Sequence, residues 1–236
     1  MQKRNSQRIR RMVIIGVFAA LAYVAMLVIH IKVSFLTLDV KDALITICGL
    51  YFGPLSALFI SALVGLLEFA TVSSTGVYGL IMNVLGSAAF SVTASSIYKW
   101  KKNLHGAFLG LACAVCVTTG VMLLANLLIT PYFMGAEVST VKQMIPTLLL
   151  PFNFIKTVLN VGLVLLLYKH IGNALRRAGF LPRKKAAVVE GDADAESAKK
   201  RALVRNISVF AVAVVLITVS AIVIFVTLGG KVSFGK

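Results

Sequence analysis

The chain has 236 residues, is 59% hydrophobic and carries a formal net charge of +16. A mean hydropathy of +0.94 excludes an ordinary soluble domain. The class is a polytopic helical membrane protein, because a bilayer leaves each span to satisfy its own backbone. The lysines and arginines gather in the tails and one loop. There they orient the chain and meet anionic lipid, so nucleic acid is not an expected partner.

Lys3, Arg4, Arg8, Arg10 and Arg11 precede the first apolar run, 12–31, and place residues 1–11 on the cytoplasmic side. That run is too long for a cleaved signal core and reads as a retained helix. Gly16, Ala19 and Ala20, with Ala22 and Ala25, give it a small-residue surface. Such a surface permits close contact, either inside the fold or with a partner membrane protein. The following segment, 32–42, is apolar for an outer loop. Its Phe35, Leu36 and Leu38 either pack on the membrane surface or close over an apolar ligand.

The run 43–70 is interrupted by Gly53-Pro54. Read as one span, it would put Lys99, Lys101 and Lys102 outside. Read as a pair, 43–52 and 54–70, it keeps them and the basic segment 169–205 inside, as orientation by positive charge requires. The first member rises only ~15 Å against a hydrocarbon core of ~30 Å. It therefore needs shielding by protein, or a continuation through Lys41 and Asp42. Runs at 77–98, 104–130 and 145–168 complete six helices, with outer loops at 32–42, 71–76 and 131–144. Cys48, Cys113 and Cys116 lie inside apolar runs and read as thiols packed between helices. Tyr98, Trp100, Tyr132 and Tyr168 sit at span ends, as an interfacial belt would. Residues 171–206 form a charged cytoplasmic linker with a helical second half. Residues 207–228 form a further span without Gly or Pro, and 229–236 form a short outer tail.

Charges in so apolar a chain are expensive, from roughly 2.5–3.5 kcal/mol upward at mid-bilayer. The exceptions are where function is sought. Asn153, Lys156 and Asn160 are spaced i, i+3, i+7 and share one helix face. Asn126 lies near the outer end of the fifth helix. Glu68 ends the third helix, and Met82 and Asn83 open the fourth. Each has a plainer reading: Lys156 snorkels, the asparagines join helices, and Glu68 meets water or an outer lysine. Taken together, they can converge on an outward-facing pocket with apolar walls and a few oriented polar groups. No phosphate-binding loop, Ser-His-Asp set or His-Glu-x-x-His motif occurs, so no enzyme activity is expected.

Four stretches carry a family resemblance. They are Phe35-Leu-Thr-Leu-Asp39-Val-Lys-Asp42, Gly53-Pro54 with its helix to Glu68, Ser74-Thr75-Gly76 before Met82-Asn83, and Pro151-Phe-Asn153-Phe-Ile-Lys156. Over residues 12–170 the chain resembles the substrate-binding S component of energy-coupling factor (ECF) vitamin transporters, most closely the riboflavin-specific branch. The resemblance implies an all-α integral membrane protein with a six-helix core, here followed by an extra C-terminal span. It implies riboflavin, or its phosphate FMN, as transported ligand rather than cofactor. It implies Asn126, Asn153 and Lys156 as polar contacts to the flavin, with segment 32–42 closing over it. Phe35, Leu36, Leu38, Asp39, Glu68, Thr75, Gly76, Met82 and Asn83 complete the candidate ligand set. A transmembrane scaffold docking on the Gly16, Ala19 and Ala20 face, and two cytoplasmic ATPases, are the implied partners. Another small vitamin or a purine-like substrate on the same scaffold is the alternative. A membrane assembly protein whose polar stripe only joins helices is a third reading.

Overall fold

The apolar runs fold as helices whose ends are set by local chemistry. The computed structural model describes residues 2–182 and 192–227. Residues 183–191 of the expected linker, residue 228 and the expected tail 229–236 lie outside it. Helix α1 is Gln2–Val28. A two-stranded antiparallel hairpin follows, β1 Ile31–Val33 and β2 Leu36–Leu38, in the register Ile31↔Leu38. Then come α2 Lys41–Phe52, α3 Pro54–Thr71, α4 Gly76–Trp100, α5 Leu104–Met134 and a short α6 Val138–Met144. A π turn at Ile145–Leu149 leads into α7 Leu150–Arg177, and α8 is Asp192–Thr227. The fold is helical throughout, except that the expected outer loop 32–42 is largely a hairpin. The expected loop 131–144 is mostly helix: α5 runs through Pro131 and ends only at Gly135, which takes the left-handed conformation with φ 60°.

The break at Gly53-Pro54 is real. Gly53 has φ 97°, and Pro54 begins α3, where its missing N–H costs nothing. The Arg11 guanidinium donates to the Phe52 carbonyl and to Ser56 Oγ, satisfying the end of α2 from another helix. Helix α2 has 12 residues, about 18 Å, too short to cross a bilayer. It is enclosed instead: Ile45, Thr46, Ile47 and Cys48 have 0% exposure. Among the described residues, six helices are long and apolar enough to cross a membrane, and α2 is not one of them.

The main core lies around α2, from Phe18 and Ala22 of α1 to Ile60, Phe90, Leu111 and Val164. Glycine and serine allow the closest approaches. A Cβ on Gly110 of α5 would stand 2.7 Å from the Ala94 carbonyl oxygen of α4. Leu58, Phe59, Leu124 and Leu128 point outward, as lipid-facing residues do. Cys48 is buried, Cys113 half-buried and Cys116 exposed, so only the first matches the expected packing between helices. Trp100 and Tyr132 are exposed. Tyr98 and Tyr168 turn inward instead, hydrogen-bonded to each other at 2.9 Å, with Tyr51 stacked on Tyr168.

The chain order sets two ends. The hairpin end gathers the start of α2, the end of α3, the start of α4, the end of α5 and the start of α7. Arg8, Arg10, Lys99, Lys101, Lys102, Arg176 and Arg177 lie at the opposite end. Helix α8 packs along α7, where Gly162 admits Ala213 and Ile217 at close range.

Candidate functional site

A cavity opens at the hairpin end, between the hairpin, the start of α2, the end of α3 and the facing halves of α4, α5 and α7. The cavity volume is about 140 Å³. That holds roughly ten waters, or ~300 Å³ of liquid, the lower end for small-molecule sites. Phe35 and Leu36 of the hairpin, Glu68, Thr75, Met82, Asn83, Asn126, Asn153 and Lys156 all line it. Nine candidates from five separate stretches of sequence thus meet around one space.

Three candidates stand off the cavity. Leu38 is 2% exposed and packs with Phe152 and Leu159 beneath the hairpin. Gly76 serves the turn into α4, with φ 60°. Asp39 has 0% exposure and is engaged with two lysines. Its carboxylate accepts from Lys156 Nζ at 2.9 Å and lies 3.4 Å from Lys41 Nζ. Burial by itself would push this carboxyl up, but Lys156 and Lys41 outweigh it and hold it down at about 2.

Lys41, 1% exposed, also donates to Glu68, whose other oxygen accepts from Asn83 Nδ2 at 2.8 Å. Glu68 thus lines the cavity and pairs with a lysine at once. The polar stripe of α7 divides in the same way. Asn153 and Lys156 face the cavity, and Lys156 also donates to the Thr37 carbonyl at 3.2 Å, pinning the hairpin to α7. Asn160 turns to the start of α2. Its Oδ1 accepts from Ala43 N–H at 2.9 Å and its Nδ2 donates to the Asp39 carbonyl at 3.3 Å. Val40, the residue just before α2, provides no side-chain cap, so Asn160 caps that helix from 117 residues away.

Asn126 has 0% exposure. Its Nδ2 donates to the Met122 carbonyl and its Oδ1 accepts from Thr130, leaving one N–H for a guest. Asn153 Nδ2 donates to the Leu149 carbonyl at 2.7 Å. Carbonyls on the preceding turn thus aim both amides. Sequence reasoning missed His30, Asp42, Tyr78, Ser87, Thr118, Met122, Thr130 and Phe133, which also line the space. A signal existed on α5: Thr118, Met122, Asn126 and Thr130 recur every fourth residue and share the face of Asn126. On α1 the small-residue surface splits. Ala19 is 2% exposed and packs in the core, whereas Gly16 and Ala20 face outward.

Fold and site define a multi-pass membrane protein with a buried, polar-pointed pocket near one end of its helices, the form of a solute-binding transport component. The chain belongs to the family of ECF transporter substrate-specific components, whose match spans residues 10–168. It is 29% identical over 185 residues to the riboflavin transporter RibU of Staphylococcus aureus (strain TCH60), covering 75% of this chain and 97% of that protein. It also matches a solved structure of the S component of a bacterial ECF transporter. That match has a TM-score of 0.62 at 28% identity and covers 72% of this chain and 99% of that one. The family is one of transport components rather than enzymes, and its match ends before α8.

Proposed function

We propose that the chain captures riboflavin at the outer face of a bacterial cell membrane and hands it to an ECF importer. The observation that carries this reading is the meeting of Asn126, Asn153 and Lys156 around a cavity walled by Met82, Met122, Phe35 and Phe133. Isoalloxazine has broad apolar faces and one edge of carbonyls and N–H. Thioethers and rings suit the faces, and two amides with an ammonium suit the edge. The relative named as a riboflavin transporter supports the same choice of ligand.

In this reading the basic end of the bundle is cytoplasmic, as positive charge directs. The hairpin then faces outside and covers the entrance, held by Lys156. Gly16 and Ala20, exposed on α1, serve as the close-contact face for a transmembrane scaffold, and two cytoplasmic ATPases supply the energy. Residues 12–170 are the binding unit, with 171–206 a cytoplasmic connection to the additional span. Titration of the detergent-purified chain with riboflavin, followed by flavin fluorescence, is the test. Saturable one-to-one quenching is expected, and protein purified from cells that make flavin should be yellow. A folded sample that leaves riboflavin fluorescence unchanged while binding a different vitamin would replace the ligand and keep the family.

A further inference from the structure

The hairpin has two unlike faces. Its register pairs Ile31 with Leu38 and Val33 with Leu36, so these four side chains share one face, while Lys32 and Thr37 share the other. Each strand has three residues, and so short a hairpin is marginal unless something packs against it. One support is polar: Lys156 of α7 donates to the Thr37 carbonyl. The other is apolar. Leu38 is buried with Phe152 and Leu159 of α7, and Ile31, Val33 and Leu36 pack against that cluster.

Helix α8 reaches the same cluster. Its Ile217 packs against the group formed by Leu38, Phe152 and Leu159. Gly162 of α7 makes the room: a Cβ there would stand 2.8 Å from Ile217 Cγ1 and 3.1 Å from the Ala213 carbonyl oxygen. The neighbouring Leu216 packs instead against the main core around α2. Ala213, Leu216, Ile217 and Ser220 are spaced i, i+3, i+4, i+7 and belong to the inward stripe of α8, whereas Val212, Val214, Val215 and Val219 are exposed. Two adjacent residues of one helix thus serve two different clusters.

We propose that α8 braces the hairpin: Ile217, seated over Gly162, completes the apolar bed that holds the hairpin down and slows its opening. The proposal rests on the reading of the hairpin as the cover of the riboflavin site. Ile217 does not line the cavity. It therefore stabilises the closed hairpin equally with and without a guest, and an interaction equal in two states shifts nothing between them. Such a brace sets how fast riboflavin enters and leaves, not how tightly it is held. The family match ends at residue 168, so the brace lies outside it.

Two measurements on the full-length protein, Ile217→Ala, Ile217→Val and Leu216→Ala test this. Hydrogen exchange of the backbone amides of 31–38 reports local opening and needs no ligand. Ile217→Ala should speed that exchange about tenfold and Ile217→Val about threefold. Leu216→Ala, which loosens α8 from the main core, should leave it within about twofold. In stopped-flow flavin fluorescence, Ile217→Ala should raise the association and dissociation rates of riboflavin by about the same factor, with Kd within about twofold. Unchanged hairpin exchange in Ile217→Ala would overturn the proposal. Equal acceleration in Ile217→Ala and Leu216→Ala would also overturn it, because the hairpin would then follow overall stability. So would a dissociation rate that rises alone, since Ile217 would then act on the ligand site. Ile217→Val removes one methyl group and carries the comparison if Ile217→Ala elutes as aggregate. A wild type that binds no riboflavin would remove the ligand reading, while the exchange measurement would still decide the brace.

Discussion

Lys156 has three tasks. It lines the cavity, donates to the Thr37 carbonyl of the hairpin and pairs with Asp39. Removing a partner from a buried pair costs more than the pair contributes, because a charge is left behind in low dielectric. Asp39 would keep only Lys41, which is shared with Glu68. Lys156→Met is therefore expected to weaken riboflavin binding by about 1–3 kcal/mol, the scale of a lost charge-assisted bond. It should also lower Tm in detergent. Adding Asp39→Asn should recover part of the Tm and none of the affinity, which separates support from ligand contact. Wild-type affinity in the single variant would remove Lys156 from the ligand set.

Among elements, α2 decides the placement of the site. Because it is short and enclosed, its first turn ends inside the protein, and Asp42 reaches the cavity from there. Its N–H groups are met by Asp39 and Asn160 and its last carbonyl by Arg11, so its ends do not need water. The α4–α5 contact is the other fixed point, and glycine spacing makes it testable. A methyl on Gly110 would press on the α4 backbone, whereas one on Gly120 meets nothing within 4 Å. Overpacking costs about 1–3 kcal/mol and exceeds the ~1 kcal/mol that alanine gains in a helix. Gly110→Ala should lower Tm and Gly120→Ala should leave it equal or higher. The reverse order in a thermal-unfolding comparison would show that α4 can give way.

At the scale of the whole molecule, the addition is α8. It lies on α7 through Gly162, Ala213 and Ile217, and none of its described residues lines the cavity. Its outer face is apolar, with Phe210, Val215 and Ile222 exposed. Deleting residues 190–236 should keep riboflavin affinity within about twofold while lowering Tm, since the Gly162 groove loses its cover. A large loss of affinity in the truncated protein would mean that α8 holds α7, and with it Asn153 and Lys156, in register.

The class, the helical runs, the break at Gly53-Pro54 and most of the polar outliers are legible along the chain alone. Each of these rests on a local quantity: the cost of placing one residue or one turn in hydrocarbon. The tertiary structure decided which outliers meet. Nothing local distinguishes Asp39 from Asp42 or Asn153 from Asn160. Yet Asp39 is enclosed by two lysines while Asp42 lines the cavity, and Asn160 caps a distant helix while Asn153 lines the cavity. Apart from Asp39 with Lys41, those partnerships join residues 117 to 121 positions apart. They follow from how the helices pack, which brings to a buried charge groups that lie across the interface and far away along the chain.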